Sequence, residues 1–439
     1  MEVKFGHGTK HSGNCNKFVL RRYLSIYLKG LLGAFLFSLL PVVCQAKNLS
    51  VGKGFMYRTI REALEQSDTG DSVIVNSGFY SEGALVIDKR IFLRGIGLPV
   101  LDGESKIAVI TVHASGTHIS GFKIQNSGFS DIREIAGIRL DEAHACVIEN
   151  NYFYNNYFAV YLANSSYCRI QNNRIEGFAR TETSSGNGIH LWKGEYNTIL
   201  NNHISGHRDG IYFEFVKESS IIGNLSEKNL RYGLHFMFSD DDVYKYNVFR
   251  ENGSGVAVMY TRNVLMENNR FEDNWGSASF GLLLKDISNS IIRNNLFSKN
   301  TTGLYIEGSN NTIVRHNEFR RNGWAVRILG DCYEDTLTEN NFMANTFDVA
   351  TNATRNMNYI HRNYWDQYTG YDLDKDKTGD IPFHPVSFYS KLTEESPHTL
   401  MMLHSFFVDL LNQTERVVPT ITPEAFKDVA PQMKPFIYD

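Results

Sequence analysis

Short alternating apolar–polar runs, broken at regular intervals by Asn and Gly, fill the chain from Ile148 to Trp365. Ile-Glu-Asn-Asn-Tyr-Phe (148–153) returns as Ile-Gln-Asn-Asn-Arg-Ile (170–175), Ile-Leu-Asn-Asn-His-Ile (199–204), Met-Glu-Asn-Asn-Arg-Phe (266–271) and Ile-Arg-Asn-Asn-Leu-Phe (292–297). One Asn holds register at 151, 173, 202, 224, 247, 269, 295, 317, 341 and 363, with steps of 22 to 29 residues. A second phrase interleaves at the same period: Gly-Ile-His-Leu (188–191), Gly-Ile-Tyr-Phe (210–213), Gly-Leu-His-Phe (233–236) and Gly-Leu-Leu-Leu (281–284). A fixed period in the low twenties is the mark of a solenoid and is too short for helical repeats. Alternation within each unit is strand patterning. The pattern predicts an all-β chain, a right-handed single-stranded parallel β-helix with coils of about 22 residues. Its repeated Asn would stack into an amide ladder about 4.8 Å per rung. Two residues on, Phe153, Ile175, Ile204, Phe249, Phe271, Phe297, Phe319, Met343 and Trp365 form an expected interior stack.

The ends break this rhythm. Residues 1–46 read as a signal peptide: basic Arg21, Arg22 and Lys29, an apolar run from Leu31 to Val43, then Cys44-Gln45-Ala46 before Lys47. Residues 47–110 read as an N-terminal cap with first irregular coils, including a short amphipathic helix over Thr59–Gln66. The β-helix proper is expected over 111–365, an Asp-rich loop over 366–385 and a helical and extended docking segment over 386–439. Within that last segment Thr399–Val418 carries apolar residues at helical spacing, suited to plugging the solenoid's open end or docking on a membrane protein. The tail beyond it, with Pro423, Pro431 and Pro435, reads as extended.

Side chains alternate along a strand, so counting from the repeat Gly assigns faces. Positions one and three are apolar and inward; two and four point out. The outward positions bring His190, Trp192, Tyr212, Glu214, His235, Met237 and Met259 onto adjacent coils. His235 and Met237 lie about 6.7 Å apart by strand rise, and Met237 and Met259 stack on successive rungs. An imidazole beside two exposed thioethers is a soft donor set suited to Cu(I). The alternative is a patch that binds a protein partner or lies under a loop. His190, Trp192, Tyr212 and Trp275, the last in an insertion over 274–280, are the partner-binding candidates of the wall; a second, polar insertion spans 180–187. Leu403, Phe406, Phe407 and Leu410 are those of the C-terminal helix. Asp372, Asp374, Asp376 and Asp380 alternate as calcium-binding loops do, although no Glu closes the loop and an Asp-rich turn explains the spacing equally.

A formal net charge of −4 gives no sign of a nucleic-acid groove. Cys146 and Cys168 share one column, so stacked coils would bring them within disulfide range; a reduced pair in a column of small residues fits as well. Surface carboxylates are scattered, and no Ser-His-Asp or Cys-His set is apparent. The Tyr-Gly-Leu-His of 232–235 starts like an alginate-epimerase signature but lacks its continuation. An uronan lyase or epimerase is therefore the second reading, and the expectation is of a protein that is not an enzyme.

Three pairs of stretches carry a family resemblance: Arg-Tyr-Gly-Leu-His-Phe-Met-Phe-Ser (231–239) with Gly-Val-Ala-Val-Met-Tyr (255–260); Asn-Trp-Gly-Ser-Ala-Ser-Phe-Gly-Leu-Leu-Leu-Lys (274–285) with Asn-Gly-Trp-Ala-Val-Arg (322–327); and Asn-Tyr-Trp-Asp-Gln-Tyr-Thr-Gly-Tyr-Asp-Leu-Asp (363–374) with Ser-Phe-Phe-Val-Asp-Leu-Leu (405–411). In these the chain resembles the NosD family, periplasmic accessory proteins for maturation of nitrous oxide reductase. The resemblance implies a non-enzymatic role in building that reductase's copper sites. The implied partners are an ABC transporter's membrane subunit with its ATPase, the reductase itself and a copper chaperone. It supplies no ligand set; His235, Met237 and Met259 are proposed from the residues alone.

Overall fold

The computed structural model describes residues 46–130, 134–353, 355–403, 405–417 and 426–438. The expected signal peptide thus falls outside the described residues, save Ala46. Residues from Lys47 onward form one compact unit. They build a right-handed parallel β-solenoid of about 14 turns. Its wall is three parallel sheets of 14, 13 and 12 strands, here called the first, second and third. Each coil visits them in that order.

The Asn-Asn signature now has a physical reading. The first Asn of the pair turns the chain from the first sheet to the second and sits in the left-handed region, as at Asn150 (φ 54°), Asn172 (54°) and Asn268 (56°). Asn tolerates that conformation better than most residues. The second Asn then points inward. Asn247 Nδ2 donates to Asn269 Oδ1 at 3.0 Å and to Ile221 O at 2.9 Å, while its own Oδ1 accepts from Asn224 N and Nδ2. The same pattern runs from Asn151 to Asn363. Buried amides are thereby satisfied rung by rung.

The ladder shifts by one residue late in the chain. Asn340, not Asn341, receives the bond from Asn317 and donates to Asn363. The left-handed residue there is Glu339 (φ 54°), so the inward position falls one residue earlier than the Asn-Asn spacing suggests. The interior stack follows: Phe342 pairs with Phe319, and Met343 turns outward opposite Arg320. Rings at 271, 297, 319, 342 and 365 then stack with centroids 4.1–4.9 Å apart. Ser226 interrupts this column between Ile204 and Phe249, its hydroxyl donating to Gly233 O.

A second ladder, five residues after the first, went unread in the sequence. Asn229, Asn252, Asn274, Asn300, Asn322 and Asn345 bond in series where the chain passes from the second sheet to the third. His207 takes the equivalent place one coil earlier, its backbone N–H donating to Asn229 Oδ1.

Both ends are closed. At the N-terminal end, helix α1 (Ile60–Gln66) buries Ile60 and Ala63 against the first coil, with Thr59 and Glu62 forming a capping box. At the other end the plug is not the helix over 399–418. Asp428, fully buried, accepts from Arg362 N, Asn363 N, Asn363 Nδ2 and Trp365 Nε1, ending the ladder on a carboxylate. Phe383 and Phe426 join the core beside it. The tail expected to be extended therefore closes the solenoid. The helical segment, α2 (Phe388–Glu395), a 3-10 turn (Pro397–Met402) and α3 (Phe406–Val417), packs instead against the outside of the third sheet. Phe347 of that sheet's last strand joins Tyr389 and Val408 in a small core, with Trp324, Leu400 and Leu403 against it. Among the described residues no helix is long and apolar enough to cross a membrane.

Candidate functional site

Strand pairing places the outward columns of the third sheet where the repeat Gly put them. Arg139, Tyr161, His190, Tyr212, His235, Ala257, Leu283 and Tyr305 follow one another across the sheet. Trp192, Glu214, Met237 and Met259 form the next column. Met237 and Met259 are direct neighbours and lie outside the wall.

Exposure differs from the expectation. His235 is 5% exposed and Tyr212 9%, while Met237 and Met259 are half-buried. The cause is a third outward column, one residue before the repeat Gly (before Ala159 in the coil that lacks it), which holds Phe158, Asp209, Tyr232 and Phe280. Its rings lean over their neighbours: Tyr232 lies 4.9 Å from His235, and Phe158 5.2 Å from His190. Tyr212 is wedged between His190 (4.6 Å) and His235 (4.9 Å). His190 and Tyr212 are thus parts of a packed stripe and not a free docking surface. Trp192 is half-buried beneath Lys193, whose Nζ sits 4.4 Å from its ring. Trp275 stands 65% exposed, as an insertion residue suits.

Beneath these rings runs a polar network centred on Asp209, a fully buried carboxylate. Arg231 grips it from two nitrogens, Nε to Oδ1 at 2.9 Å and Nη2 to Oδ2 at 2.5 Å. Arg208 Nε is 3.6 Å from Oδ2 and donates to Asn187 Oδ1 at 3.2 Å. Asn187 Nδ2 in turn lies 3.2 Å from His190 Nδ1. Burial alone would raise the Asp209 carboxyl; the side chains beside it, with the bidentate Arg231 guanidinium the shortest contact, prevail and hold it at about 2. Burial pushes the His190 imidazole down to about 3 and His207 to about 4, so both are neutral. Counting forward from the repeat Gly passes over Asp209, Arg231 and Arg208. Asp209 is the residue before Gly210, and the same alternation puts it on the outer face.

His235 carries the features of a metal-receiving side chain. Its Nε2 is buried and has no hydrogen-bond partner. Met237 Sδ accepts a hydrogen bond from Tyr212 at 3.5 Å, which leaves its second lone pair. An orphaned imidazole nitrogen on the same strand face as a stacked thioether pair fits a soft monovalent cation.

Elsewhere, Asp372, Asp374 and Asp376 bring one oxygen each within 4.8 Å of one another. Asp380 is turned to Leu373 N at 2.7 Å and stands apart from that group. Asp372 also accepts from Asp376 N and Lys377 N, as an Asp-rich turn does. Cys146 and Cys168 are free, buried thiols. Cys168 Sγ donates to Ala143 O at 3.3 Å, and contact with its thiol lowers Cys146. On α3, Phe406, Phe407 and Leu410 are exposed, Phe406 at 81%, while Leu403 packs inward.

Comparison with known proteins agrees with this architecture. A family profile described as "Periplasmic copper-binding protein (NosD)" matches residues 176–370, and one described as "Right handed beta helix region" matches 105–243. A Pseudomonas aeruginosa protein named "Probable ABC transporter binding protein NosD" is 27% identical over 371 residues, covering 80% of this chain and 86% of that one. Its namesake from Stutzerimonas stutzeri is 26% identical over 374 residues, covering 80% and 85%. Among solved structures, the catalytic domain of a GH87 alpha-1,3-glucanase superposes with a TM-score of 0.58 at 15% identity, covering 73% of this chain and 69% of that one, a likeness of fold alone. The profile covers the His235–Met237–Met259 coils and the relatives span most of both chains, and together these matches support the NosD family for this protein.

Proposed function

We propose that this chain is a periplasmic, non-enzymatic accessory protein that takes up Cu(I) on the outer face of its third sheet and serves maturation of the copper sites of nitrous oxide reductase, together with an ABC transporter and a copper chaperone. The observation that carries the reading is His235 Nε2, buried and unpartnered, on the strand face that bears Met237 with Met259 beside it. Those three side chains would hold the ion, and copper is the cargo. One imidazole and two thioethers bind Cu(I) while favouring neither Zn(II) nor hard cations. The family's description as copper-binding and the naming of its relatives as transporter binding proteins support the same reading.

Docking is assigned to α3, where Phe406, Phe407 and Leu410 form an exposed apolar edge near the end of the same sheet. Trp275 offers a second contact, for the reductase or the chaperone.

Titration of the mature chain with Cu(I) against a competing chelator tests the copper reading. His235→Ala and Met237→Leu should each weaken binding; if both bind like the parent, the site is elsewhere. Docking is tested by Phe406→Ser with Phe407→Ser in a transporter pull-down. Point changes are preferable to removing 386–439, because Asp428 in that segment closes the solenoid. Unchanged capture would end the docking proposal. Calcium in the Asp372–Asp374–Asp376 loop is a separate proposal, and a Ca(II)-dependent rise in melting temperature that survives Asp374→Asn would remove it.

A further inference from the structure

We propose that Arg231 holds His235 in the tautomer that cannot take a metal, so that loading the site requires Arg231 to withdraw. The inference rests on the copper reading above and adds its regulation. Arg231 Nη2 lies 3.4 Å from His235 Nδ1. A guanidinium has only N–H groups to offer, so Nδ1 must be the acceptor of that contact. An imidazole with one proton and Nδ1 as acceptor carries that proton on Nε2, the buried nitrogen without a partner. A neutral imidazole coordinates through its unprotonated nitrogen, and in this arrangement that nitrogen is occupied by Arg231.

The other tautomer has an acceptor waiting. Asp209 Oδ2 is 3.8 Å from His235 Nδ1, outside hydrogen-bond range, because Arg231 claims both carboxylate oxygens. If Arg231 swings out, the proton passes from Nε2 to Nδ1: one N–H bond breaks, one forms, and no net charge leaves the imidazole. Nδ1–H then donates to Asp209, and Nε2 presents its lone pair to the ion. A carboxylate behind a ligating imidazole is the usual support of such a site. Arg208, 3.6 Å from the same oxygen, keeps the buried carboxylate compensated when Arg231 leaves. The Arg231 side chain is 29% exposed, so its head group has a path to water.

The test uses the whole mature chain labelled with 15N-histidine, His235 being assigned by its loss in His235→Gln. Long-range 1H–15N correlation of the metal-free protein should show His235 protonated on Nε2; protonation on Nδ1 overturns the proposal. Arg231→Gln supplies an amide oxygen that accepts from Nδ1–H, so the tautomer should switch and Cu(I) should bind about tenfold more tightly. Arg231→Lys keeps a donor there and should behave like the parent. An Arg231→Gln protein with the parent's tautomer, or a parent-like affinity in a protein that melts like the parent, overturns the proposal. Absence of Cu(I) binding in the parent would instead defeat the copper reading, while the tautomer measurement still decides what Arg231 does.

Discussion

Two polar columns stack at rung spacing on opposite sides of one wall, and they behave differently. Inside, the Asn ladder repeats one residue type, and every rung gives its neighbour what it takes from the one before. Outside, the column Tyr161–His190–Tyr212–His235 changes residue at each rung, and two of its imidazoles end with an unpartnered Nε2. Repetition of a self-complementary group satisfies hydrogen bonds and leaves no donor or acceptor for a ligand. Alternation of unlike groups leaves bonding capacity unspent, and that is what a binding surface needs.

The contrast is broken most directly at mid-ladder. Asn247→Ala deletes four buried hydrogen bonds and leaves Asn224 N without its acceptor, so denaturant unfolding should report a loss of roughly 3–5 kcal/mol. A loss under about 1 kcal/mol would mean the ladder does not hold the coils. Next comes the ladder's end. Asp428→Ala leaves Asn363 and Trp365 without their acceptor and should cost about 2–4 kcal/mol, with hydrogen exchange accelerating first in the last coils.

A third test concerns the second ladder, which ends where Asn345 Nδ2 donates to Asp348 Oδ1. Burial, with Asp366 nearby, raises the Asp348 carboxyl to about 7. The folded chain therefore keeps a proton that the unfolded chain releases on passing pH 4. Its contribution to stability is full below that value and declines as pH climbs towards 7. Asp348→Asn removes the decline, and melting curves at pH 8 should show it more stable than the parent by about 1–3 kcal/mol. The smallest effect belongs to the outer column. His235→Gln removes no paired bond of the inner wall and should shift stability by about 1 kcal/mol or less while reducing Cu(I) binding. A large destabilisation with unchanged binding would reverse the assignment of the two columns.

The solenoid, its face alternation and the stacking of Met237 on Met259 were legible in the sequence because a period of two inside a period near 22 fixes which side each residue takes. The one-residue shift at Asn340 was also within reach. Leu337 precedes it by the three residues that separate Ile148 from Asn151, and that spacing is a better guide than the Asn pair. Burial on the outer face was not legible. It depends on Tyr232 and Phe158 leaning across rungs, and on Asp209 pairing with an Arg from the next coil, contacts set by side-chain reach and not by register. The closing role of the tail was hidden for a related reason. Asp428 meets Asn363 across 65 residues with no repeat to announce it.

That long-range partner has a bearing on assembly. Chain synthesis runs from the first coil to the last, so stacking can proceed as residues emerge, each new amide finding the one before it. The final rung has to wait for an oxygen that arrives some five dozen residues later. Until then the stack ends in a raw sheet edge, open to pairing with any stray strand. Whatever delays delivery of Asp428, whether premature release or proteolytic trimming, leaves that edge uncovered.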